Sequence, residues 1–246
     1  MMTNQRVKLI GAVLAFCALC ACSATSDPPP TQAQIESIGI RANQGRQDEA
    51  LRQLQHWADR GMPVAQRELA LAFLQAHGDA AKARVWFEKA AQGGDAEAAF
   101  QLGEAFYFTR LGAAKDDAAA WKYYRIGADH GDDRSALMLA RMAKYGEGVA
   151  KDPAESVRWL ALAAERGNAQ AMFLLSNAYQ SGEGVAPDEA LAREWLEKAA
   201  AGDYPVAIQA LALAVEGGDM QMRKDPVRAQ HLFKEAAEER RDHWNN

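Results

Sequence analysis

Cysteine is missing from nearly the whole chain. Its three cysteines, Cys17, Cys20 and Cys22, all lie within the first 22 residues, and none follows. Without thiols, the remaining sequence can form neither a disulfide framework nor a zinc–thiolate site. Cys17 and Cys20 have C-x-x-C spacing, but they fall in a segment that we expect to be removed, so we predict no redox or metal role for them.

Sequence signatures of enzymes are missing as well. The chain has no G-x-S-x-G elbow, H-E-x-x-H motif, Walker loop or dinucleotide glycine fingerprint. A recurring Gly-Glu-Gly-Val lacks the Lys-Ser/Thr of a phosphate loop, and its repetition favours a structural turn. His130, Asp132 and Asp133 form the tightest group of possible metal ligands, but both aspartates are explained more simply as helix caps. We predict a protein without catalytic activity, cofactor or metal.

The chain also lacks an excess of basic residues and a long hydrophobic run. Lys and Arg number 28 against 33 Asp and Glu, a formal net charge of −5, so no electrostatic footprint for nucleic acid is present. The longest apolar run, residues 9–19, is about half of the roughly 20 residues that a helix needs to cross a membrane. We expect neither nucleic-acid binding nor a permanent transmembrane helix.

The first 22 residues have the pattern of a secretory signal. Basic Arg6 and Lys8 precede the apolar run, and small residues surround Cys22. Leu19 lies three positions before Cys22 and Ala21 directly precedes it, which resembles the lipobox of bacterial lipoproteins. Cys20 departs from the small or β-branched residue preferred there, although its side chain is close to alanine in size.

The lipobox resemblance implies that Cys22 is acylated and becomes the new amino terminus. Acyl chains contribute about 0.8 kcal/mol for each buried methylene, so several chains anchor a protein firmly. In that family an Asp after the Cys signals inner-membrane retention, and here the residue is Ser23. We therefore expect an exported protein with a lipid anchor in the cell envelope, in the outer membrane and facing the periplasm.

Three regions follow from this interpretation. Residues 1–22 are the signal peptide, residues 23–34 with Pro28, Pro29 and Pro30 are an extended tether, and residues 35–246 form the folded domain. About 210 residues are enough for one domain.

The folded domain is built from an internal repeat. A large side chain recurs at spacings of 36 or 37 residues, an aspartate stands seven residues before it, and a pair of small residues stands four and five residues after it. The large residues are Trp86, Tyr123, Trp159, Trp195 and Leu232; the aspartates are Asp79, Asp116, Asp152, Asp188 and Asp225; the small pairs begin at Ala90, Gly127, Ala163, Ala199 and Ala236. A degenerate earlier copy spans residues 50–65.

Each repeated position has a mechanical reason. The aspartate caps a helix start, the small pair lets the next helix approach closely, and a following glycine, such as Gly131 or Gly167, ends the helix with a positive φ. One helix pair cannot bury its apolar stripe alone, but stacked copies share a continuous core. We predict an all-α fold, an α-solenoid of stacked helix-turn-helix repeats.

The repeat resembles the Sel1-like repeat, a relative of the tetratricopeptide repeat, over roughly residues 49–240. Its best copy comprises Leu175, Ser176, Tyr179, Gly182, Gly184, Val185, Asp188, Trp195, Ala199 and Ala200. The resemblance implies a superhelical scaffold that binds other proteins. The chain departs from the pattern in the loops at residues 75–79, 109–115 and 215–224. Helices at residues 32–46 and 226–241 are expected to cover the first and last repeats.

The tetratricopeptide relation also implies a partner-binding groove lined by the first helix of each repeat. Aligning on Leu102, Leu139 and Leu175 gives three sets of exposed positions, of which the middle set is basic. They are Glu97, Phe100, Glu104 and Tyr107; Arg134, Leu137, Arg141 and Lys144; and Gln170, Phe173, Asn177 and Gln180. Arginine with aromatic residues is typical of protein interfaces. Alternatively, Phe100 and Phe173 are core residues and the basic set is an ordinary solvated helix face.

Three functional hypotheses remain open at this point. The leading one is a periplasm-facing scaffold or adaptor that binds a protein partner through the groove. The second is an immunity protein that neutralises a secreted antibacterial toxin such as a phospholipase, a role that the resemblance to some lipid-anchored or periplasmic Sel1-like proteins implies. The third is a cell-wall-related binding or hydrolytic protein; the Sel1-like proteins linked to that role carry a cysteine pair in each repeat, which this sequence lacks.

Overall fold

The computed structural model describes residues 28–43 and 48–245, and the regular structure within them is entirely helical. Twelve helices are found there and no strand, which confirms the all-α prediction. The helices are α1 Gln32–Asn43, α2 Asp48–Asp59, α3 Pro63–His77, α4 Ala80–Gln92, α5 Ala96–Tyr107, α6 Asp117–Asp129, α7 Asp133–Tyr145, α8 Pro153–Glu165, α9 Ala169–Ser181, α10 Glu189–Ala201, α11 Pro205–Gly217 and α12 Pro226–Asn245.

The helices pack in pairs, and each pair stacks on the next. The tightest pairs are α3 with α4, α5 with α6, α7 with α8, α9 with α10 and α11 with α12, and the second helix of each pair contacts the first helix of the next. The small residues predicted to permit close approach are buried, as in Ala90 and Ala163. In the last repeat Ala236 is buried and Ala237 is exposed. The predicted solenoid of stacked helix pairs is confirmed.

Aspartate caps start the second helix of each pair, as the repeat predicts. The side chain of Asp116 accepts a hydrogen bond from the backbone N–H of Ala119 at 2.9 Å, and Asp79, Asp152, Asp188 and Asp225 do the same in their repeats. Three of the first helices have side-chain caps of their own, of which the sequence predicted only that of α7. Asp95, Asp132 and Asn168 cap α5, α7 and α9.

The large recurring residue lies at the edge of the core and not at its centre. Trp86, Tyr123, Trp159 and Trp195 are only half-buried, and the fully buried position is the next one along the helix. That position holds Phe87, Tyr124, Leu160 and Leu196. An indole N–H needs a polar partner, and that of Trp159 donates to Glu155 Oε1 at 2.8 Å. The anchors therefore lie at the edge of the core.

The Gly-x-Gly loops are structural turns, as predicted. Gly148 and Gly184 have φ angles of 69° and 78°. A Cβ atom on Gly148 would lie 2.3 Å from the carbonyl oxygen of Asp117, and one on Gly184 would lie 2.2 Å from that of Pro153. The second glycine thus lets each loop pack on the second helix of the preceding repeat. In the altered loop after α5, Thr109 and Leu111 take left-handed conformations with φ of 58° and 53° instead.

The ends of the domain differ slightly from the prediction. Helix α1 begins at Gln32, where a helix was predicted, so residues 32–34, which the tether range also included, are helical. Residues 1–27, with the predicted signal peptide and Cys22, lie outside the described part of the chain. Among the described helices, none combines the length and apolarity that a membrane span requires.

Helix α1 is joined to the repeats by a charge cluster centred on Arg67. The guanidinium contacts Glu36 of α1 at 2.9 Å, Glu68 of α3 at 3.0 Å and Asp95, the cap of α5, at 3.0 Å. The side chains of Arg67, Glu68 and Asp95 are 12%, 9% and 4% exposed. Burial raises the pKa of Glu68 and of Asp95, and hydrogen bonds from Arg67 and from the Ala98 N–H only partly oppose it.

This burial predicts a pH dependence for a Glu68→Gln variant. Because the folded-state pKa of Glu68 is raised, its contribution to stability is present at low pH and is lost as the pH rises through that pKa. Glutamine keeps the shape without the charge. We therefore expect the free energy of unfolding of Glu68→Gln to increase relative to that of the native chain from pH 4 to pH 8 in urea titrations.

The exposed Glu49 provides a control of opposite sign. Hydrogen bonds from Arg52 and Gln53 lower the pKa of Glu49, so its contribution to stability is lost as the pH falls. The free energy of unfolding of Glu49→Gln should therefore decrease relative to that of the native chain from pH 4 to pH 8. The same trend in both variants would contradict the assignment of burial as the cause at Glu68.

Candidate partner-binding groove

The twelve residues predicted to line a groove lie on the first helices of three successive repeats. Four are on α5, four on α7 and four on α9. Side-chain contacts connect α5 with α7, and a cleft separates α7 from α9. The two halves of the predicted groove are therefore chemically different.

Between α5 and α7, the predicted charges neutralise each other. Arg134 pairs with Glu97 and with Asp132, and its guanidinium lies over the Phe100 ring at 4.1 Å from the ring centroid. Burial alone would raise the pKa of Glu97, but hydrogen bonds from Gln101 and Arg134 outweigh it and lower that pKa. Arg134 thus joins two repeats and is not a free basic residue, so on this side the groove differs from the prediction.

Tyr107 was expected to be exposed and is buried, with 6% of its surface accessible. Its hydroxyl donates to Glu147 Oε2 at 2.6 Å and accepts from Arg141 Nη2 at 2.8 Å. Desolvation and the neighbouring carboxylate raise the pKa of Tyr107 to about 12. Glu104 accepts similarly from the Tyr124 hydroxyl at 2.9 Å. Tyr107 is buried where the loop after α7, which contains Glu147, packs against it.

The glutamate of each Gly-Glu-Gly loop reaches back to the preceding repeat. Glu147 accepts from Tyr107 on α5, and Glu183 accepts from Lys144 on α7 at 2.8 Å. Tyr107 and Lys144 occupy the same position of their repeats, so this contact recurs. Lys144 was predicted to be one of three free basic residues, but it forms an ion pair with Glu183.

Between α7 and α9 lies an open cleft of about 420 Å³, with α8 as its floor. Its walls are mainly apolar, and five predicted groove residues border it: Leu137, Arg141, Lys144, Gln170 and Asn177. The other apolar lining residues are Met138, Ala140, Tyr145, Pro153, Val157, Leu160, Leu174 and Ala178. A concave site with an apolar floor and polar groups at its edge is the usual form of a recognition pocket.

Two predicted residues of α9 do not border the cleft. The Phe173 ring lies 5.7 Å from that of Tyr204 and packs on the core of the last repeats, so the core interpretation is correct for it. Gln180 is exposed outside the cleft. Phe100 is also half-buried, and its ring centroid lies 6.0 Å from that of the buried Tyr124. The Phe100 ring therefore contacts the core and also the Arg134 guanidinium that lies over it.

Sequence reasoning missed four exposed apolar residues of this region. Tyr145 and Leu174 border the cleft and are 63% and 36% exposed. Val206 and Leu213 on α11 are 48% and 53% exposed. Extending the alignment to Leu211 would have identified Val206 and Leu213, because they occupy the positions of Gln170 and Asn177 in the next repeat.

At the His130 turn, the predicted capping role is confirmed for Asp132 and is wrong for Asp133, which pairs with the side chain that caps α9. Asp132 caps α7 through the Ser135 N–H at 2.6 Å, and Asp133 accepts from Asn168 at 2.7 Å. Within the described residues, no group of three or more His, Cys, Asp or Glu side chains could hold a metal ion.

Stacked helix pairs, recurring aspartate caps and Gly-x-Gly loops define a repeat scaffold of the solenoid class. The sequence model of the Sel1 repeat matches residues 63–95, 96–132, 133–168, 169–204 and 205–240, which together span well over half of the chain. The protein belongs to the Sel1 repeat family, as the resemblance indicated. Each match comprises one of the helix pairs from α3/α4 to α11/α12.

Solved structures have the same fold. A Sel1 repeat protein from Oxalobacter formigenes is 26% identical with a TM-score of 0.66, and the match covers 84% of this chain and 85% of that one. A protective antigen of uropathogenic Escherichia coli is 26% identical with a TM-score of 0.74, covering 84% of this chain and 46% of that one. An immunity protein from Pseudomonas aeruginosa, 15% identical with a TM-score of 0.51, covers 87% of this chain and 85% of its own and shares the fold. Comparison with curated protein sequences gives no significant match.

Proposed function

We propose that the protein is a non-catalytic scaffold, anchored by lipid in the bacterial cell envelope, that binds a protein partner through the groove of its repeats. The observation that carries this proposal is the apolar cleft between α7 and α9. Exposed apolar side chains continue beyond it on α11, at positions that would face the same groove. Neighbouring exposed apolar residues of this kind mark interaction surfaces, whereas scattered single ones need no explanation.

The first helices of the later repeats, α9 and α11, carry almost no charge, which supports a docking surface that extends from the cleft towards α11. The acids of α5 are paired with residues of neighbouring elements. Helix α9 contains no charged residue, and α11 has one, Glu216. Depletion of charge at the centre with a polar rim is the composition of a protein interface. The partner would therefore contact mainly α7, α9 and α11.

The lipid anchor rests on the sequence at Cys22. Its lipobox context, with Leu19, Ala21 and Ser23, supports acylation and a periplasm-facing position in the outer membrane. A Cys22→Ala chain should remain unacylated and should lose any partner whose binding requires the membrane. Labelling with a clickable palmitate analogue measures acylation directly.

The immunity and cell-wall hypotheses remain as alternative outcomes. The similarity to an immunity protein extends to the fold only, and fold does not determine function. If the captured partner were a secreted toxin, the same groove would serve neutralisation. Hydrolysis of a cell-wall compound by the purified chain would contradict the scaffold proposal.

The direct test is a charged substitution in the cleft. Leu174→Glu places a carboxylate on the apolar wall and should weaken partner binding at least about tenfold, as expected for an interface hot spot. Because Leu174 is 36% exposed, folding should be nearly unaffected. The measurement is quantitative co-purification with the partner after crosslinking in intact cells, with thermal unfolding of both purified chains.

Val85→Glu is the matched control. Val85 is 49% exposed on α4, the second helix of its repeat, so a carboxylate again replaces an exposed aliphatic side chain but on a different surface. This variant should retain the partner. Equal loss in both variants, or loss in neither, would contradict the groove as the binding surface.

A further inference from the structure

Arg141 is a positively charged group with unused hydrogen-bonding capacity at the edge of the cleft. A guanidinium carries five N–H donors. Its Nη2 donates to the Tyr107 hydroxyl at 2.8 Å, and the carboxylate of Glu147 lies 3.9 Å from its Nε, beyond hydrogen-bonding distance. The Tyr107 ring, 5.1 Å from the guanidinium carbon, holds the group in orientation. Arg141 can therefore donate two parallel hydrogen bonds to a carboxylate.

The other two basic residues of α7 differ from Arg141 in this respect. Arg134 is hydrogen-bonded to the carboxylates of Glu97 and Asp132. Lys144 donates to Glu183 at 2.8 Å. Arg141 has an exposed side-chain fraction of 46%, nearly the same as the 45% of Arg134. Arg134 and Arg141 are about equally exposed, but only Arg134 is hydrogen-bonded to carboxylates. Arg141 is therefore the basic residue of α7 that can bind a carboxylate of a partner.

The opposite wall of the cleft offers amide groups. The side-chain amides of Gln170 and Asn177 border the cleft and form no hydrogen bond within the described residues. They are seven residues apart on α9, or about 10 Å along the helix axis, the length of about three residues of extended peptide. Amides at this spacing can pair with the backbone of an extended segment, whereas the backbone of a helical ligand is already hydrogen-bonded internally.

We propose that the cleft binds an extended segment of the partner that carries a large apolar residue next to an acidic one. The apolar side chain enters between Leu137 and Leu174, the backbone pairs with Gln170 and Asn177, and the carboxylate binds Arg141. This recognition rests on the proposed function and specifies the partner chemistry at the same cleft.

The test uses a display library of random linear peptides, about twelve residues long, selected on the lipidated full-length chain in detergent. The selected peptides should share Leu, Phe or Trp within about three residues of Asp or Glu. For one such peptide, Arg141→Gln should raise Kd about tenfold or more, since a charge-assisted pair is lost. Changing the peptide acid to its amide should weaken binding to the native chain but not to Arg141→Gln, as in a double-mutant cycle.

Arg134→Gln is the matched control, with the same charge change on the same helix, and it should change Kd less than about twofold. A consensus without an acid, a consensus of amphipathic helices, or no enrichment would overturn the proposal, as would equal effects of Arg134→Gln and Arg141→Gln. If Leu174→Glu abolishes binding of the cellular partner while Arg141→Gln does not, only this recognition mode fails. If Leu174→Glu leaves that partner bound, the proposed function fails as well.

Discussion

Replacing Arg67 with alanine is expected to lower the free energy of unfolding by about 3 kcal/mol or more. Arg67 is the basic member of a cluster with three carboxylates, two of which, Glu68 and Asp95, are almost fully buried. Removing one partner of a buried ion pair leaves an uncompensated charge and typically costs about 3 to 5 kcal/mol. The substitution should also weaken the packing of α1 on the repeats, because Glu36 of that helix contacts Arg67. Urea denaturation followed by circular dichroism measures the change.

Arg158→Ala is the control for this prediction. Its side chain is 65% exposed and pairs with Glu155 one turn away, so its removal should change stability by less than about 1 kcal/mol. Arg67→Lys keeps the charge but cannot reach three carboxylates with a planar fork, and it should be intermediate. A loss below about 1 kcal/mol in Arg67→Ala would mean that the cluster does not hold α1 to the repeats.

Gly184→Ala and Gly148→Ala should be the most destabilising single methyl additions in the Gly-x-Gly loops. Gly184 has a φ of 78°, and its Cβ would lie 2.2 Å from the carbonyl oxygen of Pro153, which is backbone and cannot rotate away. The left-handed conformation alone costs about 1 to 2 kcal/mol for a residue with a Cβ. The overlap with Pro153 requires a shift of the loop from α8, so we expect a total loss above about 2 kcal/mol.

Gly61→Ala separates the two contributions. Gly61 has a similar φ of 82°, but a Cβ there would meet no atom within 4 Å. Its substitution should cost only the conformational part, about 1 to 2 kcal/mol. Equal losses at the two positions, measured by chemical denaturation, would show that close approach between repeats does not stabilise this loop.

The repeat architecture was predictable because its signals are local and occur several times. An aspartate seven residues before a large side chain and a small pair after it have the same meaning in every copy, so the five caps, such as Asp188, are found where expected. The burial of Phe87 and Tyr124 was not predicted, because a half-buried anchor at the next position gives the same helical periodicity. Sequence spacing fixes the face of a helix but not which of two neighbours lies deeper.

The groove was predicted less well than the fold, and the reasons are specific. Its helices and register follow from alignment on the repeat leucines. Whether a charged residue is free depends on contacts between residues 37 or 39 positions apart, as for Arg134 with Glu97 and Lys144 with Glu183. Pairing over that separation depends on how neighbouring repeats stack. The cleft beside Leu174 similarly arises from the spacing of α7 and α9 and has no counterpart in a local motif.

The most direct measurement of the central claim is photo-crosslinking in intact cells from two positions of the lipidated chain. A photoreactive phenylalanine derivative replaces Leu174 in the cleft or Val85 on α4, positions that are 36% and 49% exposed. A groove that binds a protein predicts a discrete crosslinked adduct from position 174 and none from position 85. An adduct from position 85 alone, or from neither position, would contradict the account.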